Sequence, residues 1–247
     1  MSVTLAIARN ETRRIFATPL AWTVLAIVQA ILGVVFLLLL LEYAQSPDRQ
    51  EHYTGLADYI GNGLYGFATL LLLMVMPLLT MRVFAEERRS GSLSLLLASP
   101  ASLVDIVLGK FLGLASFVLV TVALIAAMPL MLLVGSDLDL GRIAAGLLGL
   151  VLLTLAFAAA GLFVSTLTRE PVLAAVGSFG LLLGFWLMQV LGARPGITGD
   201  VLGYLALTSH FENLRRGIFS SADVIYYLLF TTLFLWLAVL RLDSERG

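Results

Sequence analysis

An all-α polytopic membrane protein is the fold class this sequence predicts, with six transmembrane helices, an N-terminal interfacial helix and short external helices before the last span. Three observations carry that prediction. Of the 247 residues, 60% are hydrophobic and only 13% are charged, about half the charged share of a soluble domain, so the chain lacks the polar groups to cover a water-exposed surface. Mean hydropathy is +1.01, and the apolar residues gather into six runs long enough to cross a bilayer. No soluble domain, low-complexity linker or internal repeat separates those runs, so 1–247 is expected to form a single transmembrane domain.

Residues 2–18 place Val3, Ile7, Ile15 and Phe16 on one side of a helix and turn Arg9, Arg13 and Arg14 toward lipid headgroups. That is the pattern of a helix lying on the membrane surface over 1–19, with a solvated tail as the alternative. The first span, 20–41, has Gln29 as its only strongly polar residue. At about 1.5 Å per residue it reaches about 33 Å, enough for a hydrocarbon core of about 30 Å. It exceeds the apolar region of a signal peptide and is expected to stay as an anchor. Residues 42–63, with Glu42, Asp48, Glu51 and Asp58, form a polar acidic loop before the second span, 64–81, which Pro77 is expected to kink. A charged segment, 82–105, leads into the third span, 106–134, with Pro129 near its far end. The connector 135–141 is tight, and the fourth span, 143–167, is rich in small residues from Ala156 to Gly161. Pro171 closes a very short turn and suits the start of the fifth span, 172–191, whose Gly177, Gly180 and Gly184 would let another helix approach. Residues 193–223 are too polar to span. Their Val201, Leu202, Leu205, Phe211, Leu214 and Ile218 predict short amphipathic helices at the membrane surface. The sixth span, 224–240, ends at Arg241 and a charged tail.

Six spans put both ends on one side. That side carries Arg9, Arg13, Arg14, Arg82, Arg88, Arg89, Lys110, Arg169, Arg241 and Arg246, against Arg49, Arg142, Arg194, Arg215 and Arg216 on the other. The bias places both termini and 82–105 in the cytoplasm, with Arg215 and Arg216 running against the rule. A net charge of −1 gives no reason to expect nucleic acid. The absence of cysteine excludes disulfides and thiolate sites, and His52 and His210 have no ligand spacing, so no metal is expected. His210, beside Phe211, reads as an ordinary surface or packing residue. No ionisable residue falls in the middle of a span, as a proton-driven transporter or an intramembrane protease would require. Gly109-Lys110 is followed by Phe111, so it is not a phosphate-cradling loop. No catalytic residue is expected, and energy for active work must enter through a partner.

The densest charge lies in RVFAEERRSGSLSLLLASPASLVDIVLGK, residues 82–110. A charged helical turn, FAEERR, is broken at Gly91, which suits the left-handed conformation, and a leucine run then ends at Ser99-Pro100. The pattern predicts a short helix held crosswise under the membrane with Glu86, Glu87, Arg88 and Arg89 exposed to a partner. The alternative is a solvated hairpin whose arginines merely follow the positive-inside bias. The turn at Arg169-Glu170 is too short to receive a partner.

The run FAEERRSGSLSLLLASPASLVDIVLGKFLG resembles the coupling segment of membrane subunits of type-two ABC exporters, where a glutamate-rich turn, glycine, a leucine run, Ser-Pro and Gly-Lys-Phe recur in this order. The stretch SHFENLRRGIFSSADVIYYLLFTTLFLWLAVLRLDSER, from Ser209, is similar to the close of the subgroup that includes the gliding-motility-associated permease and the copper-maturation permease of nitrous oxide reductase. With the matching six-span layout the resemblance covers nearly the whole chain. It implies a permease of the bacterial cytoplasmic membrane that pairs with a second permease subunit, identical or different. Two cytoplasmic ABC ATPase subunits would hold ATP and Mg, leaving no cofactor bound directly here. By position, Glu86, Glu87, Arg88, Arg89, Gly91 and Ser92 would contact the ATPase, and Leu95 and Leu96 would seat the helix. His210, Phe211, Glu212 and Arg216 would belong to an external cap over 193–223. Ser94 departs from relatives, which often carry an acidic residue there. The expected function is ATP-driven export of a hydrophobic or amphiphilic substrate. The alternative is mechanical transmission of ATPase motion to an external or periplasmic protein, without cargo.

Overall fold

The computed structural model describes residues 2–45, 56–98, 101–134, 139–193 and 196–245. Among them no strand occurs, and six helices are long and apolar enough to cross a membrane. Helix α1 (Val3–Ala17) turns at Thr18 into α2 (Pro19–Gln45). Helix α3 (Leu56–Thr80) leads into two short helices, α4 (Ala85–Ser90) and α5 (Ser92–Leu97). Helix α6 (Leu103–Leu130), closed by a 3₁₀ turn at Met131–Val134, is followed by α7 (Leu140–Leu167) and α8 (Pro171–Gly192). Two more short helices, α9 (Ile197–Leu205) and α10 (Leu207–Arg215), precede α11 (Ser221–Asp243).

Each long helix begins before the apolar run that signals it, and at α6 and α7 a side-chain cap sets the start. The Ser102 hydroxyl accepts the Asp105 amide at 3.0 Å to open α6, and the Asp139 carboxylate accepts the Arg142 amide at 3.1 Å to open α7. Pro171, whose missing N–H costs nothing in a first turn, opens α8. Much of 42–63, expected as a loop, is helical: α2 continues to Gln45 and α3 starts at Leu56, and the Tyr59 hydroxyl donates to Glu42 at 2.6 Å. Asp48, Arg49, Glu51 and His52, the Ser99-Pro100 break, Arg194 and positions 135–138 of the tight connector lie outside the described residues.

Helix α7 is the axis of the bundle and packs against α3, α6, α8, α10 and α11. The small residues Ala156–Gly161, all buried, keep it slender enough for so many neighbours. A Cβ at Gly149 would fall 2.8 Å from Leu214, and one at Gly146 would fall 2.6 Å from the Tyr65 ring. In lipid, close packing of this kind rather than exclusion of water holds helices together. Three hydroxyls inside the bundle are satisfied on their own helices: Thr69, Thr121 and Thr154 donate to the carbonyls four residues back at 2.6–2.9 Å. Helices α2 and α8 lie at the periphery and expose Trp22, Val34 and Leu38, and Val172, Val176 and Leu187.

The surface reading of α1 is only half right. Arg9 and Arg13 are exposed, but so is Val3, and Glu11 is buried. The helix lies along the first half of α6, where Gly109 and Gly113 form a shallow saddle: a Cβ at either would come within 2.7 Å of Ile7 or Glu11. Thr4 bonds to Asp105, and Thr12 meets Ser116 at 3.1 Å along the same contact. The helix termini therefore gather α1, α4, α5 and the end of α11 at one end of the bundle, the terminal end. Helices α9 and α10 close the other, the cap end.

Candidate functional site

The segment singled out by its charge forms a ridge across the terminal end. Helix α4 stops at Gly91, whose φ of 77° lies in the left-handed region where glycine carries no Cβ penalty, and α5 begins at the next residue. Val83, Phe84 and Ala85 are buried, as is Leu93, and Leu96 packs against the core, so the ridge is seated on the bundle by apolar contacts. Of the two leucines expected to seat it, the Leu95 side chain lies outside the described residues. Ser90, Gly91, Ser92 and Ser94 face outward.

The expectation that Glu86, Glu87, Arg88 and Arg89 are all exposed holds for two of them. The side chains of Glu86 and Arg89 are 48% and 66% exposed; those of Glu87 and Arg88 are 16% and 9% exposed and are held by this chain's own charges. The reason is helical geometry: residues 87 and 88 occupy the inward side of a six-residue helix, and α1, α6 and the segment after α11 present counter-charges there. From α6, the Lys110 amine, 2% exposed, donates to Glu87 at 2.6 Å, to Glu11 of α1 at 3.4 Å and to the Val83 carbonyl at 3.1 Å. It also sits 5.1 Å from the centre of the Phe84 ring, where the ring face attracts a cation. From α1, Arg14 pairs with Glu87 at 3.1 Å and Glu86 at 3.2 Å, not with headgroups alone. From the end of α11, Glu245 accepts from Arg88 at 2.9 Å.

Sequence reasoning missed three members of this network. Lys110 was counted as a loop cation, yet it stands two turns inside α6. Glu11 and Glu245 received no role, although Glu11 is the sole acid among residues 2–18 and a lone acid in a basic helix is a signal. The turn at Arg169-Glu170 also belongs here despite its length. Glu170 lies 3.9 Å from Arg89, and Arg169 shares with Arg88, Gly91, Ser94 and Glu245 a notch of about 490 Å³ beside the ridge.

At the cap end, α10 is not a surface helix. It packs on α7, α8 and α11, with Phe211 and Leu214 buried; Val201, Leu205 and Ile218 are exposed as the amphipathic reading expects. His210, expected as an ordinary surface or packing residue, is 7% exposed and fully engaged. Its Nδ1 is 2.7 Å from Asp223, its Nε2 is 2.8 Å from the Tyr204 carbonyl, and Tyr226 stacks on its ring at 3.9 Å. Asn213 donates to the other Asp223 oxygen at 3.0 Å. Glu212 accepts from Arg215 at 2.7 and 2.8 Å and from Arg216 at 3.0 Å. Burial pushes the Glu212 carboxyl up, but the bonds and charges of the two arginines outweigh it and hold it below its ordinary value. Among the described residues no three His, Asp or Glu side chains come together as metal ligands would.

The arrangement is one surface ridge tied by ion pairs to α1, to α6 and to the segment that follows α11. A search among curated proteins returned no match. The family of ABC-2 family transporter proteins, by contrast, matches residues 5–245, from within α1 to the Glu245 that holds Arg88, so the protein belongs to the ABC-2 family of transporter membrane proteins.

Proposed function

We propose that this chain is the permease subunit of an ABC exporter in a bacterial cytoplasmic membrane, with its terminal end in the cytoplasm and the α4–α5 ridge seated on a partner ATPase. Family membership implies an ATPase partner, which would carry ATP and Mg. The observation that carries the reading is the ridge: its outer side offers Glu86, Arg89, Gly91 and Ser92, while its inner side is braced on α1, α6 and α11. A push on the outer side would be delivered at once to α1 and to two long helices, α6 and α11. In this arrangement Glu86, Arg89, Gly91, Ser92 and the notch beside Arg169 meet the ATPase, whereas Glu87 and Arg88 transmit. Leu96 seats the ridge, and Leu95 is assigned the same role from the resemblance.

Pairing with a second permease subunit draws support from α8, where a Cβ at Gly180 or Gly184 would meet nothing within 4 Å, and from the exposed apolar side of α2. A bundle whose middle carries no free charge suits a hydrophobic or amphiphilic substrate better than an ion. The test is co-purification. Exchanging the outer charges, Glu86→Lys with Arg89→Glu, is expected to cut recovery of the ATPase about tenfold or more while the melting temperature of the permease holds. Unchanged recovery would sink the coupling assignment.

One observation favours the alternative, mechanical transmission without cargo, which the resemblance to the copper-maturation permease raises. Helix α11 joins both networks directly, holding Asp223 at the cap and leading to Glu245 at the ridge. Its 23 residues make a rod of about 35 Å. In that case His210, Phe211, Glu212 and Arg216 form a cap that presents ATPase-driven motion to an external protein. ATPase activity stimulated by an amphiphile alone would decide for export; stimulation only with an external protein present would decide for transmission.

A further inference from the structure

Between α3, α8 and α10, at the cap end, a polar cleft of about 310 Å³ has a donor inventory that its own chain leaves unspent. The Arg215 Nε and the Thr208 hydroxyl are enclosed and have no hydrogen-bond partner, Thr208 being 8% exposed. Gln189 and Trp186 of α8 line the same cleft, and among the described residues neither the Gln189 amide nor the Trp186 indole N–H has a partner. The charged acceptor there is already used, and so is the Thr69 hydroxyl. Glu212 takes three bonds from Arg215 and Arg216, and the Thr69 hydroxyl is committed to the Tyr65 carbonyl. Two arginines sharing one carboxylate leave positive charge in excess at the rim. They are the same Arg215 and Arg216 that run against the positive-inside rule, so their placement needs a reason other than topology.

The cleft is also held ready. Arg215 is fixed by one terminal nitrogen on the Asn62 carbonyl at 2.8 Å and by the other on Glu212. Gly66 makes room for it, since a Cβ there would lie 2.7 Å from that guanidinium. Donors fixed beforehand lose little freedom when a ligand arrives. The apolar wall continues out of the cleft along α3 from Leu70 to Met74, both exposed and one turn apart. Polar donors at the mouth and an apolar strip below fit a molecule with an anionic acceptor-rich head and an acyl tail.

We propose that this cleft binds the phosphate-ester headgroup of an amphiphile, with Gln189 and Trp186 as donors, the Arg215 guanidinium as counter-charge and the tail along Leu70 and Met74. Its meaning as a substrate site rests on the export reading; the binding itself does not.

The chain has three tryptophans, so Trp22→Phe with Trp236→Phe leaves Trp186 as a reporter inside the cleft. The purified chain, without any ATPase, is titrated in a non-ionic detergent with dihexanoyl phosphatidic acid, with inorganic phosphate and with dihexanoylglycerol. A saturable change in Trp186 emission is expected with phosphatidic acid, at about tenfold or more lower concentration than with either control. Gln189→Leu, which removes no bond within the protein, is expected to weaken it about tenfold, the size of one hydrogen bond to a charged group. Equal binding of inorganic phosphate overturns the amphiphile, and equal binding of dihexanoylglycerol overturns the anionic head. No saturable change, or Gln189→Leu without effect, overturns the site. Failure of the native chain to co-purify with any ATPase would strike the export reading and leave this titration standing.

Discussion

Lys110 concentrates the energetics of the terminal end in one side chain. It is buried between Glu11 and Glu87, and taking a charge out of water is repaid only while its counter-charges stay in place. Lys110→Met is therefore expected to cost about 3 kcal/mol, read as a lower melting temperature in detergent, because two carboxylates lose their buried cation and keep only the half-exposed Arg14. Adding Glu87→Gln should restore part of the loss, a non-additive pair of the kind contacting residues show; strict additivity would mean the contact carries no energy. At the cap end the relevant group is Glu212, whose folded value is depressed below its ordinary 4.5. Its stabilisation is thus complete above that ordinary value and is lost as pH falls through the folded one. Unfolding midpoints of the native chain and of Glu212→Gln should differ at pH 7 and converge in acid. A gap that persists at pH 3 would contradict the linkage.

At the scale of elements, the saddle of α6 decides where α1 can lie. Gly109→Leu would push a branched side chain into Ile7 and the Thr4 carbonyl, and α1 should lift from α6 while the six long helices remain. Limited proteolysis reads this directly: cleavage within 2–18 should become rapid, and an unchanged digestion pattern would show that α1 is not held there. How much of this was legible beforehand varies with the range of the physics. The six spans could be read because a run of apolar residues long enough for a bilayer is a local signal, and so could the joint at Gly91, because left-handed backbone is a property of one residue. The saddle could not: Gly109 and Gly113 look like any membrane glycines until Ile7 and Glu11 lie on them. The inward turn of Glu87 and Arg88 was hidden for the same cause, since Lys110, Glu11 and Glu245 lie far off in sequence. The helical start at Leu103 was hidden because hydropathy does not mark where a cap such as Ser102 forms.

For the molecule as a whole, sidedness is the property from which the rest follows. The chain has no cysteine, so a single introduced one is an unambiguous reporter. An impermeant maleimide should label Phe219→Cys, exposed at the cap end, in intact cells, and Ser90→Cys, on the ridge, only after permeabilisation. The reverse result would overturn the orientation and, with it, the ridge as a cytoplasmic handle. The seat of α1 carries one more implication, in time rather than in space. Its polar contacts, Thr4 with Asp105, Glu11 with Lys110 and Thr12 with Ser116, join residues 99 to 104 positions apart. A chain made from its N-terminus cannot form any of them until the third span has been synthesised. Helix α1 is thus made before its seat exists, and the brace of the ridge is completed only when the growing chain folds back on it.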